Sequence, residues 1–259
     1  MEQVTEVRIL APEPNERTTM GLTIAMLSWG AEKTLQHTLE SYAYHDLRAE
    51  QKIILLQEGT PMQESMARYY GFTPHSYPFN MGIAYGYRAL LDLAEHEHFL
   101  FLENDWELLE NPIGQINMGL YLLRLGDVDL IRLRSRKTPG WPLWTKQFEG
   151  QEHLRKSHLL DAIHWTDPIK FPEITRVKID ANVSTNEEWR VKSFWWYIAS
   201  SKYANWTNNP HMARTDFLLR EVAPRFGTKD GEVDIQSWWE QQDFKVAQSE
   251  GLFTHNRLD

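Results

Sequence analysis

Cysteine is missing from all 259 residues. That excludes a disulfide framework and any thiolate zinc site, and it suits a reducing, cytoplasmic compartment. Long apolar runs are missing too. The longest are about six residues, as in Phe194-Trp195-Trp196-Tyr197-Ile198-Ala199, whereas a membrane-spanning helix needs roughly 20. No transmembrane segment is expected. Met1-Glu2-Gln3-Val4 has neither the basic nor the apolar stretch of a signal peptide. Positive charge is scarce: 27 Lys and Arg stand against 36 Asp and Glu, for a net charge of −9. The bulk field therefore repels nucleic acid and anionic membranes unless a local patch reverses it. The densest basic stretch, Arg132, Arg134, Arg136 and Lys137, is the candidate for such a patch. Internal repeats and low-complexity segments are lacking as well.

What is present is a regular first half. Residues 1–20 are polar, with Pro12 and Pro14, and read as an arm with at most one short strand. Leu22–Leu27 is a short apolar run ending in Ser28-Trp29-Gly30, and Lys52–Leu56 is a second, ending in Gln57-Glu58-Gly59. A short strand near His75–Tyr77 leads to Phe79-Asn80-Met81-Gly82, and His98–Leu102 is the next apolar strand. Helices are expected at 31–44, 62–70 and 83–95, the first with Leu35, Leu39 and Tyr42 on one face. Alternating strand and helix implies a parallel sheet covered on both faces. Ligands of such sheets bind beyond the carboxyl ends of the strands, which is where Ser28, Glu58, Asn80 and Glu103–Asp105 fall. The second half is less regular. A helix at 113–125 and a strand at 128–133 precede loops with short elements over 135–190. A strand at 194–199, helices at 216–222 and 233–241, and a short strand at 245–247 follow. No clean domain boundary is visible, so one domain over 1–259 is expected.

Glu103 and Asp105 are two apart at a strand end, so the period-2 geometry of a strand points them the same way. Two converging carboxylates repel unless a cation lies between them, and hard oxygen donors suit magnesium or manganese. The alternative is a solvated acidic turn made by Glu103, Asp105, Glu107 and Glu110. The 11 tryptophans are mostly expected in the core. In each adjacent pair, Trp195-Trp196 and Trp238-Trp239, one ring is expected in the core and its neighbour at a sugar cleft.

The order Ser28-Trp29-Gly30, Glu58-Gly59, Asn80-Met81-Gly82-Ile83-Ala84 and Phe101-Leu102-Glu103-Asn104-Asp105 resembles the inverting family 2 glycosyltransferases of GT-A fold. The likeness is good over about 22–134 and looser beyond. It implies a Rossmann-like three-layer α/β/α sandwich with a mostly parallel central sheet. About 20–134 would bind the nucleotide sugar, and the irregular 135–259 would bind the acceptor. Glu58 maps to the acid that contacts the nucleobase, and Asn80 and Gly82 map to the Asn-x-Gly motif against the nucleotide. Glu103, Asn104 and Asp105 map to the DxD motif, with Glu for its first Asp. Ser28 and Trp29 stand at the same donor edge.

The family's general base sits in an acidic segment that opens a helix. Here that segment is Asp230-Gly231-Glu232-Val233-Asp234, with Glu232 at the base position and Asp234 as the alternative; either acid could instead cap the helix. The tail Gly251-Leu252-Phe253-Thr254-His255 resembles one in which a histidine completes the metal shell, so Asp105, Glu103 and His255 become the expected ligands. An imidazole favours manganese over magnesium. His211, after Asn208-Asn209-Pro210, is a further candidate near acceptor or diphosphate.

The expected function is metal-dependent inverting transfer of a hexose or pentose from a nucleotide-diphosphate donor, UDP-linked by expectation, to the hydroxyl of a glycan or other acceptor. Two alternatives stand beside it. One is a nucleotidyltransferase that makes the nucleotide sugar, although Ser28–Lys33 lacks its Gly-rich basic loop. The other is a non-catalytic nucleotide-sugar-binding module. A nucleic-acid acceptor would use the Arg132–Lys137 stretch.

Overall fold

The structure, a computed structural model, describes residues 21–150, 154–185, 188–227 and 231–259, with backbone only over 181–185 and 188–192. The arm expected at 1–20 lies outside the described residues. The first half alternates strictly: β1 (Leu22–Trp29), α1 (Glu32–Tyr44), β2 (Gln51–Gln57), α2 (Pro61–Tyr69), β3 (Thr73–Tyr77), α3 (Ile83–Asp92) and β4 (His98–Glu103). Local chemistry sets the boundaries. Thr60 and Gln63 form a reciprocal capping box at the start of α2, with Pro61 in its first turn. Gly82, at φ 80°, turns the chain into α3.

β5 (Trp106–Leu108), α4 (Ile113–Leu125) and β6 (Leu130–Arg134) follow. Next come α5 (Leu159–Ala162), β7 (Thr175–Thr185), β8 (Glu188–Ser200), β9 (His211–Arg214), α6 (Thr215–Phe217), α7 (Gly231–Trp239) and β10 (Lys245–His255). Three expectations are corrected. Residues 135–190 are not merely loops, because β7 and the start of β8 form a long antiparallel hairpin. The helix expected at 216–222 starts at Thr215 and passes through a π turn, Leu218–Val222, into a 3-10 turn. The last strand does not stop at 247. It continues to His255 through a register shift between Gln248 and Phe253.

Among the described residues one sheet of ten strands spans both halves, in the order β3-β2-β1-β4-β9-β6-β10-β8-β7, with β5 on β10. β1 to β4 are mutually parallel. β9 runs antiparallel to both β4 and β6, and β6 pairs in parallel with β10. The carboxyl ends of β1–β4, β6 and β10 therefore share one edge. Both faces of the sheet are covered. On β1, Ile24 and Met26 join the core under α1, α2 and α4, while Ala25 and Leu27 join the core with α3, α5 and α7. Burial on both sides is why the strand reads as a continuous apolar run. Among the described residues, no helix is long and apolar enough to cross a membrane.

Candidate active site

The exit of β4 is held from two sides. Leu27 O accepts from Asn104 N (3.1 Å), and Thr38 Oγ1 of α1 donates to Asn104 O (2.7 Å). Tyr42 OH donates to Trp106 O (2.7 Å), and Leu108 N donates to Ser41 Oγ (3.0 Å). On the other side β5 pairs antiparallel with the end of β10, placing Trp106 opposite His255. Asn256 N donates to Asp105 O (2.8 Å). The turn after β4 is thus fixed by α1 and β10 together, and its acids cannot be a free solvated loop.

This clamp brings together Asp105 and His255, 150 residues apart in sequence. His255 Nε2 lies 3.1 Å from Asp105 Oδ2. The other ring nitrogen, Nδ1, bonds to the Trp141 carbonyl. A carbonyl only accepts, so Nδ1 carries the proton. That leaves Nε2 facing a carboxylate, an arrangement satisfied by a second proton or by a cation between the two groups. Trp141 is held close by an isolated bridge between Gly140 and His255. Gly140 has φ +72°, and a Cβ there would meet the His255 backbone at 2.2 Å. Arg134, buried at the end of β6, pins the same loop by donating to Pro139 O and Pro142 O (2.8 Å each) and lies over the Trp106 ring.

Glu103, at the end of β4, is raised to about 8. Burial is the first cause, followed by repulsion from Asp105 and then Glu232, with the Trp106 indole opposing them. A cation at this point would remove that repulsion. Glu232, in the first turn of α7, accepts on Oε1 from Thr207 Oγ1 (3.1 Å) and Asn208 N (2.5 Å). Asp234 is exposed, and its carboxylate packs on Gly227. The structure therefore brings Glu103, Asp105, His255 and Glu232 into one electrostatic neighbourhood and leaves Asp234 outside it.

The remaining expected residues stand along the same edge. Ser28 is buried, and its Oγ has no hydrogen-bond partner; Asn104 Nδ2 is in the same condition. Trp29 is half exposed (51%) and donates its indole N–H to Glu58 Oε2 (2.8 Å). Glu58 itself is exposed at φ 56° beyond β2. Asn80 Oδ1 accepts from Gly82 N (2.8 Å), and Gln57 Oε1 accepts from Met81 N (2.5 Å), which docks that turn on the end of β2.

The donor set fits a divalent cation on one direct observation: Asp105 Oδ1 is buried with no hydrogen-bond partner among the described residues, in the carboxylate that faces Nε2 of His255. Among the described residues no group of three or more Asp, Glu and His side chains is arranged to hold a metal. The chain offers the Asp105–His255 pair, and phosphate oxygens of a ligand would supply further donors.

Two sequence expectations are corrected here. The stretch Arg132–Lys137 is not a basic surface patch. Arg132 is buried and ion-paired to Asp161 at 2.8 Å, Arg134 is buried, and Arg136 donates to Ile163 O and Tyr197 OH. The nucleic-acid acceptor loses the feature that supported it. His211 does not face a ligand: it is fully buried, stacked on Tyr87 and bonded to Tyr87 OH and Asn209 O (2.8 Å each). Of the tryptophan pairs, Trp196 and Trp239 are core, as expected. Sequence reasoning singles out Asn208-Asn209-Pro210 only as the approach to His211, and misses both the Pro139–Pro142 loop and the contact of Thr207 and Asn208 with Glu232. Both contribute mainly backbone groups, and no residue type announces a backbone contact.

Neither a protein-family model nor a curated protein sequence matches the chain. Solved structures do. Glucosyl-3-phosphoglycerate synthase from Mycobacterium tuberculosis, solved with Mn2+, uridine diphosphate and glucosyl-3-phosphoglycerate, is similar over 93% of this chain and 73% of its own, with TM-score 0.52 and 14% identity. A mycobacterial protein is similar over 93% and 68%, with TM-score 0.51 and 15% identity. A mannosyltransferase from Pyrobaculum calidifontis, solved with GDP-Man and Mn2+, is similar over 44% of this chain and 35% of its own, with TM-score 0.38 and 13% identity. The chain thus spans about a third of that enzyme's length. At these identities the likeness is one of fold: an α/β fold with a mixed sheet and parallel N-terminal strands, as in GT-A glycosyltransferase structures.

Proposed function

We propose that this chain is an inverting glycosyltransferase that moves a sugar from a nucleotide-diphosphate donor to an acceptor hydroxyl. The observation that carries the reading is the convergence of Glu103, Asp105, His255 and Glu232 at one sheet edge, with a buried, partnerless Asp105 oxygen among them. Ser28, Trp29, Glu58, Asn80 and Gly82 line the adjoining ends of β1 to β3 and receive the nucleoside, as the resemblance to family 2 enzymes implies. UDP is the first donor nucleotide to test. Asp105 and His255 would hold the metal, manganese before magnesium, with Glu103 beside them. A divalent cation held there would supply positive charge against the diphosphate leaving group.

Glu232 is the general base. Thr207 and Asn208 fix its carboxylate through Oε1, which orients the group before any acceptor arrives. It takes the proton of the acceptor hydroxyl as that oxygen bonds to the anomeric carbon. The bond from that carbon to the diphosphate oxygen breaks on the opposite side, so the configuration inverts.

Glu232→Gln should lower transfer about 10²- to 10⁴-fold, the usual worth of a positioned base, with donor binding retained. Product analysis by chromatography measures it. Undiminished turnover in Glu232→Gln would remove the base assignment, and Asp234→Asn should stay near wild type.

A further inference from the structure

A cleft of about 430 Å³ lies where β7 and β8 meet the segments after β6 and α5, lined by Arg136, His164, Trp165, Asp167, Arg176 and Tyr197 among others. Strand register relates it to the proposed catalytic edge. Arg176 on β7 is opposite Tyr197 on β8, Tyr197 opposite Gln248 on β10, Gln248 opposite Arg132 on β6, Arg132 opposite His211 on β9, and His211 opposite Phe101 on β4. Cross-strand neighbours share a face of the sheet. Two residues beyond Phe101 on that face is Glu103. The cleft residues Arg176 and Tyr197 and the acidic Glu103 therefore lie on the same face, and β10, which pairs with β8, ends at His255. One loop also joins them. Arg136 is at its start, and Trp141, bonded to His255, is further along it.

Among the described residues, two guanidinium groups in this cleft have no carboxylate partner. Arg136 donates to Ile163 O and to Tyr197 OH (2.5 Å), and its guanidinium lies 4.3 Å from the Tyr197 ring centroid. Arg176 lies over the Trp195 ring at 5.0 Å, and its Nε is buried with no hydrogen-bond partner. Among the described residues neither makes an ion pair. Asp167, also at the cleft, accepts from Ile169 N and caps a short 3-10 turn. His164, also at the cleft, stays neutral, because burial and then Arg134, Arg132 and Arg136 push it down to about 3. A structural arginine is normally matched by a carboxylate or fully bonded to carbonyls. Arg176 is neither, and its flat ring support presets the planar fork that grips oxyanions.

We infer that this cleft, with Arg176, Arg136 and the Tyr197 hydroxyl as donors, binds the acid group of the acceptor, so that the acceptor is a small hydroxyl compound bearing a phosphate or a carboxylate. The acceptor role rests on the glycosyl-transfer reading above; the anion site itself does not.

The test uses inorganic phosphate and malonate as probes of the two acid types, titrated against the full chain by calorimetry. At least one should bind, and whichever binds identifies the acid. Arg176→Gln should weaken that binding at least tenfold, Arg176→Lys less, and Tyr197→Phe, which keeps the ring, severalfold. Thermal unfolding without ligand checks that the variants fold. No binding by either probe, or equal binding by wild type and Arg176→Gln, would overturn the site. Tighter, Arg176-dependent binding of a short oligonucleotide would overturn the small-acceptor assignment. Nucleotide binding, titrated separately with manganese, keeps the two readings apart. If it fails while Arg176-dependent anion binding persists, glycosyl transfer falls and the anion site stands.

Discussion

Glu232 and Asp234 are two residues apart on α7, yet their surroundings separate them. The first is bonded to Thr207 and Asn208 and close enough to Glu103 to raise it; the second is exposed against Gly227. The sequence left both open, because two acids in the first helical turn look alike before the helix is docked. Asp105 is legible as a candidate from the acidic strand end, and His255 only through the resemblance of its tail. The backbone partner that sets the His255 tautomer, Trp141, is not. If the pair holds the metal, His255→Ala should weaken manganese-dependent nucleotide binding about 10- to 100-fold, in the range expected when a site loses metal-ordering groups. Calorimetry with and without manganese reads this directly. The same loss without manganese would contradict the assignment.

Elements place these residues, and they were legible in proportion to their burial. β1, β2 and β4 announce themselves as apolar runs because both faces are covered. β7 was missed although Val177 and Ile179 alternate with Arg176, Lys178 and Asp180; the flanking prolines and charges hid a half-buried pattern. β10 was cut short because Gln248, Ser249 and Glu250 interrupt its apolar run. The chain crosses that interruption at Gly251, whose φ of +85° leaves no room for a Cβ, since Arg134 O would be 2.1 Å away. Gly251→Ala should therefore destabilise the fold by more than about 1 kcal/mol. The ion pair between Arg132 in β6 and Asp161 in α5, both buried, predicts a larger effect. Asp161→Ala strands a buried guanidinium and should cost about 3–5 kcal/mol. Urea unfolding measures both variants, and wild-type stability in Asp161→Ala would show that the pair is not needed.

At the scale of the whole molecule, the antiparallel β9 between β4 and β6 is the departure from a simple alternating sheet. Its approach carries Thr207 and Asn208 to Glu232, and its own His211 fills the core under α3. Alternation in the first half revealed the parallel strands, but no local pattern shows a strand inserted from a hundred residues away. His211 also gives the fold a pH dependence. Burial lowers it to about 4, against about 6.5 in an unfolded chain. The unfolded state then binds the extra proton below pH 6.5, so this stability is present above that pH and is lost as pH falls toward 4. His164, lowered to about 3 chiefly by burial, acts in the same direction. Glu103, raised to about 8, acts oppositely, its contribution fading as pH rises through 8. Between pH 6 and 5, His211→Gln should show a slope of stability against pH smaller than wild type by up to about 1.4 kcal/mol per pH unit. Identical slopes in urea unfolding would contradict a neutral buried His211.

The proposed nucleotide-diphosphate site is built on Asp105 at the carboxyl edge of the sheet. Calorimetric titration of UDP, GDP, ADP and CDP in the presence of manganese, on wild type and on Asp105→Asn, tests it most directly. One nucleotide should bind wild type, lose most of its affinity when manganese is withheld, and fail to regain it in Asp105→Asn. Binding by none of the four, or binding indifferent to both manganese and Asp105, would contradict the account.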